Sequence, residues 1–110
     1  MSFDIVLTSD FEKELKRLGK KYPSLRDDFA IFLANLQENP VQGTPLGKDC
    51  YKVRLAISSK NQGKSSGARI LTCVKIVDEI IFLFGIYDKS ERAVLPEKEI
   101  KRRIEKLQDN

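Results

Sequence analysis

Three patterns in the chain predict an α+β domain in which a helical hairpin packs on one face of a small, mainly antiparallel sheet. Two tandem segments repeat apolar residues at helical spacing: Phe11, Leu15 and Leu18, then Leu25, Phe29, Phe32, Leu33 and Leu36. Three later stretches, over 51–57, 68–77 and 80–87, alternate or run apolar over strand lengths. An amphipathic segment after Pro96 closes the chain, and the order reads β-α-α-β-β-β-α.

Taken in order, Phe3 to Leu7 alternates weakly and reads as a first strand. Ser9 followed by Glu12 has capping-box spacing and opens a helix that Gly19 and the Lys20-Lys21-Tyr22-Pro23 stretch end. The second helix stops at Asn39-Pro40. Val41 to Asp49 contains two Gly and one Pro and reads as a loop. In the next strand Tyr51, Val53, Leu55 and Ile57 point one way, and Lys52, Arg54 and Ala56 the other. After a polar loop from Ser58 to Gly67, Ala68 to Val77 is a strand with Arg69, Leu71, Cys73 and Lys75 on one side. Ile70, Val74 and Ile76 are expected to face the core. Asp78-Glu79 turns the chain into Ile80 to Tyr87, which completes an antiparallel hairpin. Pro96, with Glu97 and Glu99 behind it, starts a helix with an Ile100/Ile104/Leu107 side and a Lys101/Arg102/Arg103/Lys106 side.

The 110 residues suit one domain spanning 1–110, with enough apolar residues for a core that needs no disulfide. The longest apolar run, Ile80 to Ile86, is far short of the ~20 residues that cross a bilayer. No basic cluster precedes an apolar run near Met1, so no secretory signal is expected and the chain reads as cytoplasmic. There is no His, and Cys50 and Cys73 are too few for a zinc site; they read as two reduced thiols. Neither a metal nor a cofactor is expected. Asp27 and Asp28 read as solvated residues on the exposed side of their helix.

Charge is concentrated. Within 48–75, seven cations (Lys48, Lys52, Arg54, Lys60, Lys64, Arg69, Lys75) face one anion, Asp49. Such a segment suggests a polyanion such as nucleic acid, or else a solvated basic face. Lys52 and Arg54 share the face opposite the apolar one, Arg69 could join them across the ladder, and all three are expected on the solvent side of the sheet. Three converging cations make a phosphate site, because guanidinium groups grip phosphate oxygens bidentately. The alternative is that edge cations merely guard against aggregation. Gly63-Lys64-Ser65 is not a phosphate loop, since Ser58 stands where the first Gly belongs and a strand follows. Lys48, Lys60, Lys64 and Lys75 are left as candidate contacts to RNA. Tyr87 places a phenol at a strand end beside Asp88-Lys89-Ser90-Glu91.

The segments Asp49-Cys50-Tyr51-Lys52-Val53-Arg54-Leu55, Ser66-Gly67-Ala68-Arg69-Ile70 and Tyr87-Asp88-Lys89-Ser90-Glu91 resemble the RelE/HigB branch of the RelE/ParE toxin superfamily. Phe11…Leu15-Lys16-Arg17-Leu18, the Asn39-Pro40 helix end and the Gly43…Leu46 loop fit the same pattern, so the resemblance spans nearly the whole chain. It implies a RelE-like fold and the toxin of a type II toxin–antitoxin pair, with a cognate antitoxin as partner. It further implies a ribosome-dependent mRNA endonuclease (mRNA interferase) that contacts mRNA and rRNA and cleaves without metal. In that family the RNA's own 2′-hydroxyl attacks the adjacent phosphate. By the resemblance Lys52 and Arg54 match the two basic residues of the catalytic strand, and Arg69 the phosphate-binding arginine. The RelE pattern has an Arg near Ser90 and a Tyr near Pro96, both missing here; Tyr87 and Lys89 match the HigB-like variant and are the candidates to substitute. The alternatives within the superfamily are a ParE-like gyrase inhibitor without catalysis, or a catalytically silent antitoxin-binding relative.

Overall fold

The computed structural model describes residues 2–60, 67–91 and 95–108. Strand β1 (Asp4–Leu7) leads into helices α1 (Ser9–Lys21) and α2 (Leu25–Glu38), then strands β2 (Thr44–Gly47) and β3 (Cys50–Leu55). A single 3₁₀ turn, Ser58–Lys60, precedes β4 (Ala68–Lys75) and β5 (Ile80–Asp88), and helix α3 (Glu97–Gln108) ends the chain. The five strands lie in the order β1-β5-β4-β3-β2, with β1 parallel to β5 and the other neighbours antiparallel. The expected α+β architecture is therefore present, with one strand more than the sequence pattern indicated.

That extra strand, β2, falls in the stretch expected to be a loop. Lys48 and Asp49, at φ 54° and 62°, form a tight two-residue turn that folds Thr44–Gly47 back on β3. Gly43 sits at φ 90°, and a Cβ there would lie 2.3 Å from the Lys52 carbonyl oxygen, so only glycine brings the chain in this close. Pro45 is tolerated because β2 is an edge strand.

Helices α1 and α2 cover one face of the sheet. Phe11, Leu18, Leu25, Phe29, Phe32 and Leu36 pack there on Val53, Leu55, Ile70, Ile81, Leu83 and Ile86. Each such side chain removed from water contributes roughly 1.5–3 kcal/mol. The N-cap of α1 is Thr8, whose hydroxyl accepts from Phe11 N–H at 3.2 Å; Ser9 is already helical, so the expected capping box is displaced by one residue. Nor does Gly19 end the helix. The chain stays helical to Lys21, and Tyr22 leaves at φ −121°, as the residue before Pro23 must. Since a Cβ at Gly19 would meet nothing within 4 Å, Gly19→Ala should stabilise the fold by about 0.5–1 kcal/mol, read as a higher urea midpoint at unchanged m.

Helix α3 lies on the opposite face, where Ile104 and Leu107 join Leu71, Cys73, Phe84, Tyr87 and Leu95 in a second apolar cluster. The sheet is thus covered on both sides, and the face expected to look into solvent is partly closed. Strand β4 also ends earlier than its pattern suggested. Ile76 and Val77 belong to the turn into β5, closed by Glu79 N–H to Ile76 O at 3.2 Å, so Ile76, expected to face the core, is 61% exposed, and Val77 is 96% exposed.

Candidate active site

The register of the central strands decides which cations meet. Arg54 on β3 stands directly opposite Arg69 on β4, and Arg69 directly opposite Tyr87 on β5. Opposed residues share a face with Cβ atoms about 4.5–5.5 Å apart, so the three form a row across the sheet on the α3 side. Lys52, two residues before Arg54 on β3, lies on that same face opposite Leu71. Like charges directly opposite each other destabilise a sheet, which makes Arg54–Arg69 an arrangement that folding alone does not favour.

The members differ in environment. Arg54 is exposed and Lys52 half-buried, whereas Arg69 is only 5% exposed. The expectation that all three cations project into solvent therefore fails at Arg69, which sits opposite Tyr87 on the face that carries the second apolar cluster. Its guanidinium donates to the Ala68 carbonyl at 3.2 Å, and burial and then the Arg54 charge pull its pKa below the usual arginine range. Tyr87 is also buried, with a hydroxyl that has no hydrogen-bond partner of good geometry among the described residues. Burial pushes the phenol pKa up, opposed by the Arg69 charge and the nearby Leu95 backbone. The site thus offers an exposed cation, a partly buried one, a buried one and a protonated phenol side by side.

The remaining expected residues lie elsewhere. Lys89 is exposed in the turn after β5, its backbone N–H donating to Gly67 O at 3.1 Å. Lys75 lies six residues along β4 from Arg69, roughly 20 Å away at strand rise, and Lys48 sits in the β2–β3 turn at that same far end. Lys64 is outside the described residues. Lys60 is no open loop cation: its ammonium lies 2.9 Å from the carboxylate of Asp88 and 3.2 Å from the Ser90 hydroxyl.

Asp88, completely buried at the end of β5, is a hub that the sequence reading missed. Its carboxylate accepts from the Tyr22 hydroxyl, from Lys60, from Lys21 at 3.3 Å, and from the Ser90 N–H and hydroxyl at 2.9 and 2.7 Å. Burial would raise its pKa, but the bonds from Tyr22, Ser90 and Lys60 prevail and hold it well below the ordinary carboxylate range. Beside it Glu91 pairs with Arg17 at 2.7 Å and Lys21 at 3.0 Å, which lower its pKa to about 2. This network fixes the turn that follows Tyr87. Asp28, expected to be solvated, instead accepts from Ser58 N–H at 2.8 Å, the Ser58 hydroxyl at 2.6 Å and the Ser24 hydroxyl at 2.7 Å, tying α2 to the 3₁₀ turn.

Depressed carboxylate pKa values carry a consequence for acid stability. A group whose folded pKa lies below its unfolded value of about 4 stabilises the fold above that pH and loses its contribution as pH falls through the folded value. The urea midpoint should therefore be level from pH 7 to about 5 and fall below about pH 4 as Asp88 and Glu91 take up protons. Asp88→Asn should flatten that acid limb. An acid limb identical in the variant would show that Asp88 titrates normally.

At the other end of the site a second ion pair supports the row. Past Leu83, β5 has no β1 partner, and a register shift at Leu71/Thr72 opens its backbone. Glu14 of α1 accepts from Ile86 N–H at 3.2 Å, while Arg103 of α3 donates to Phe84 O at 3.0 Å. The two side chains close on each other through paired 3.0 Å contacts. They occupy the hydrogen-bonding positions that a neighbouring strand would fill. Gly85 makes room, since a Cβ there would be 2.9 Å from the Arg103 guanidinium. A glycine inside an otherwise apolar strand was the one sign of this in the sequence.

No protein-family model matches the sequence, and no curated protein matches it. Solved structures do. A mutant of the E. coli toxin RelE in the free state superposes with a TM-score of 0.61 at 22% identity, covering 84% of this chain and 90% of that one. The chain has the RelE fold. A chain of the intact E. coli RelBE toxin–antitoxin complex gives a TM-score of 0.61 at 22% identity, over 79% of this chain and 96% of that one. A RelBE toxin–antitoxin complex from Mycobacterium tuberculosis gives 0.61 at 15% identity, over 80% and 99%. In this RelE fold the Lys52–Arg54–Arg69–Tyr87 face belongs to the central antiparallel strands. Among the described residues no helix is long and apolar enough to cross a membrane.

Proposed function

We propose that this chain is the toxin of a type II toxin–antitoxin pair and acts as a ribosome-dependent mRNA endonuclease. The observation that carries the reading is the directly opposed Arg54–Arg69 pair with Tyr87 next in the row, on a fold similar to that of the E. coli toxin RelE. Arg54 and Arg69 suit a scissile phosphate whose charge grows as the 2′-oxygen attacks and the P–O5′ bond breaks. Lys52 adds a third cation from the same strand. A phenol whose pKa is raised keeps its proton at neutral pH, so Tyr87 fits the acid that protonates the leaving 5′-oxygen. Lys89, exposed in the turn after β5, is assigned as a further cation of the same chemistry. A gyrase-directed relative without catalysis would have no use for the opposed arginines.

Induced expression followed by primer extension on cellular transcripts tests the reading. Codon-associated cuts in translated messages are expected, and Arg54→Ala should reduce them sharply. DNA breakage with an SOS response and intact transcripts would overturn the endonuclease in favour of gyrase poisoning. The partner we infer is a cognate antitoxin with an acidic or amphipathic segment, as several RelE-fold neighbours are toxin–antitoxin complexes and residues 48–75 are strongly basic. Its association should weaken as salt rises, with hydrogen exchange slowed between Lys52 and Lys75 and altered at Ile100 to Leu107.

A further inference from the structure

Away from the Arg54–Arg69 row, the two cysteines of the chain form a cross-strand pair. Cys50 begins β3 and stands directly opposite Cys73 on β4. The Val74 N–H donates to Asp49 O at 2.9 Å across the flanking position, which makes Cys50/Cys73 a non-hydrogen-bonded pair. In such a pair the Cα atoms are about 4.5 Å apart and the side chains lie close, within the range a disulfide spans. Both thiols converge on one acceptor, the Lys48 carbonyl oxygen, at 3.4 Å from Cys50 Sγ and 3.9 Å from Cys73 Sγ. They are reduced, and each is 1% exposed within the cluster that Leu46, Ile100 and Ile104 also join. The two sulfurs are not equivalent. The Cys50 thiol, and then the Lys75 charge, favour ionisation of Cys73, while Cys73 and burial hold the Cys50 proton in place.

From this geometry we propose that Cys50 and Cys73 are a redox pair, which a peroxide converts to an intramolecular disulfide stapling β3 to β4. The Cys73 thiolate attacks one oxygen of hydrogen peroxide, the O–O bond breaks, and hydroxide leaves to take up a proton as water. Cys73 is then a sulfenic acid. The Cys50 sulfur attacks it, the S–S bond forms as the S–O bond breaks, and the departing hydroxide takes the Cys50 proton. The two thiols together lose two protons and two electrons, and the peroxide becomes two waters. The product closes a loop that contains Lys52, Arg54 and Arg69 and holds β3 and β4 in the register that aligns them.

The test uses the reduced full chain treated with hydrogen peroxide under native conditions, then acid-quenched and alkylated. The expected product is a monomer lighter by two hydrogens, refractory to alkylation, with Cys50 and Cys73 linked in the peptide map. Its Tm should rise by roughly 10 °C and return to the starting value with dithiothreitol. Cys50→Ser should stop at a Cys73 sulfenic acid that dimedone traps. Thiols that stay alkylatable, a disulfide formed only between molecules, or a Cys73 that runs on to sulfinic acid in the parent protein would overturn the proposal. No dimedone adduct in Cys50→Ser would likewise overturn it.

Discussion

Replacing Arg103 with Met should destabilise the protein by about 3 kcal/mol or more, the range in which breaking one partner of a buried ion pair falls. Arg103 is 8% exposed and holds Glu14, Glu99 and the Phe84 carbonyl at once. Its removal leaves the Phe84 carbonyl and the half-buried Glu14 carboxylate without their cation. Glu14→Gln should cost less, since an amide oxygen still accepts from Ile86 N–H. The double variant should cost less than the sum of the two, because a charge left alone is worse than a pair removed together. Urea titration at constant m measures all three. A loss below ~1 kcal/mol for Arg103→Met would mean that the pair is solvated.

The second large effect concerns the opposed arginines. Under the proposed endonuclease function, Arg54→Ala should lower cleavage on the ribosome by roughly 10²–10³-fold, the usual consequence of removing one group that stabilises transition-state charge. It should leave the fold intact or raise its stability by up to ~1 kcal/mol, since it relieves the like-charge contact with Arg69. Activity and stability should move in opposite directions, and this separates a working residue from a structural one. Arg69→Ala should lose activity too, but with a fall in Tm, because that side chain is buried. Full activity in Arg54→Ala, or its loss only in step with unfolding, would remove Arg54 from the site.

How far the sequence carried these conclusions depended on whether a feature was local. Periodicity found α1, α2, β3 and β5, since each shows its buried face within a dozen residues. Alternation placed Lys52 and Arg54 on one face without any structure. Strand β2 was hidden because its reversal rests on Lys48 and Asp49 at positive φ, where a reader looks for Asn or Gly. The burial of Arg69 was hidden because it sits opposite Tyr87 on the face of the second apolar cluster, and nothing near Arg69 in the sequence encodes that cluster. Asp88 shows the same limit. Its partners Lys21, Tyr22 and Lys60 are 67, 66 and 28 residues distant, and no short window could connect them.

The parallel pairing of β1 with β5 bears on how the molecule is made. Asp4 is synthesised long before its partner Ile80. Helices α1 and α2 emerge long before the strands their apolar stripe must cover, so a nascent chain presents Phe11, Leu18, Phe29 and Phe32 uncovered while synthesis continues. Chaperone capture is to be expected in that interval. Tyr87 is also the last member of its row to be translated, so the Arg54–Arg69–Tyr87 row cannot close until β5 has been made.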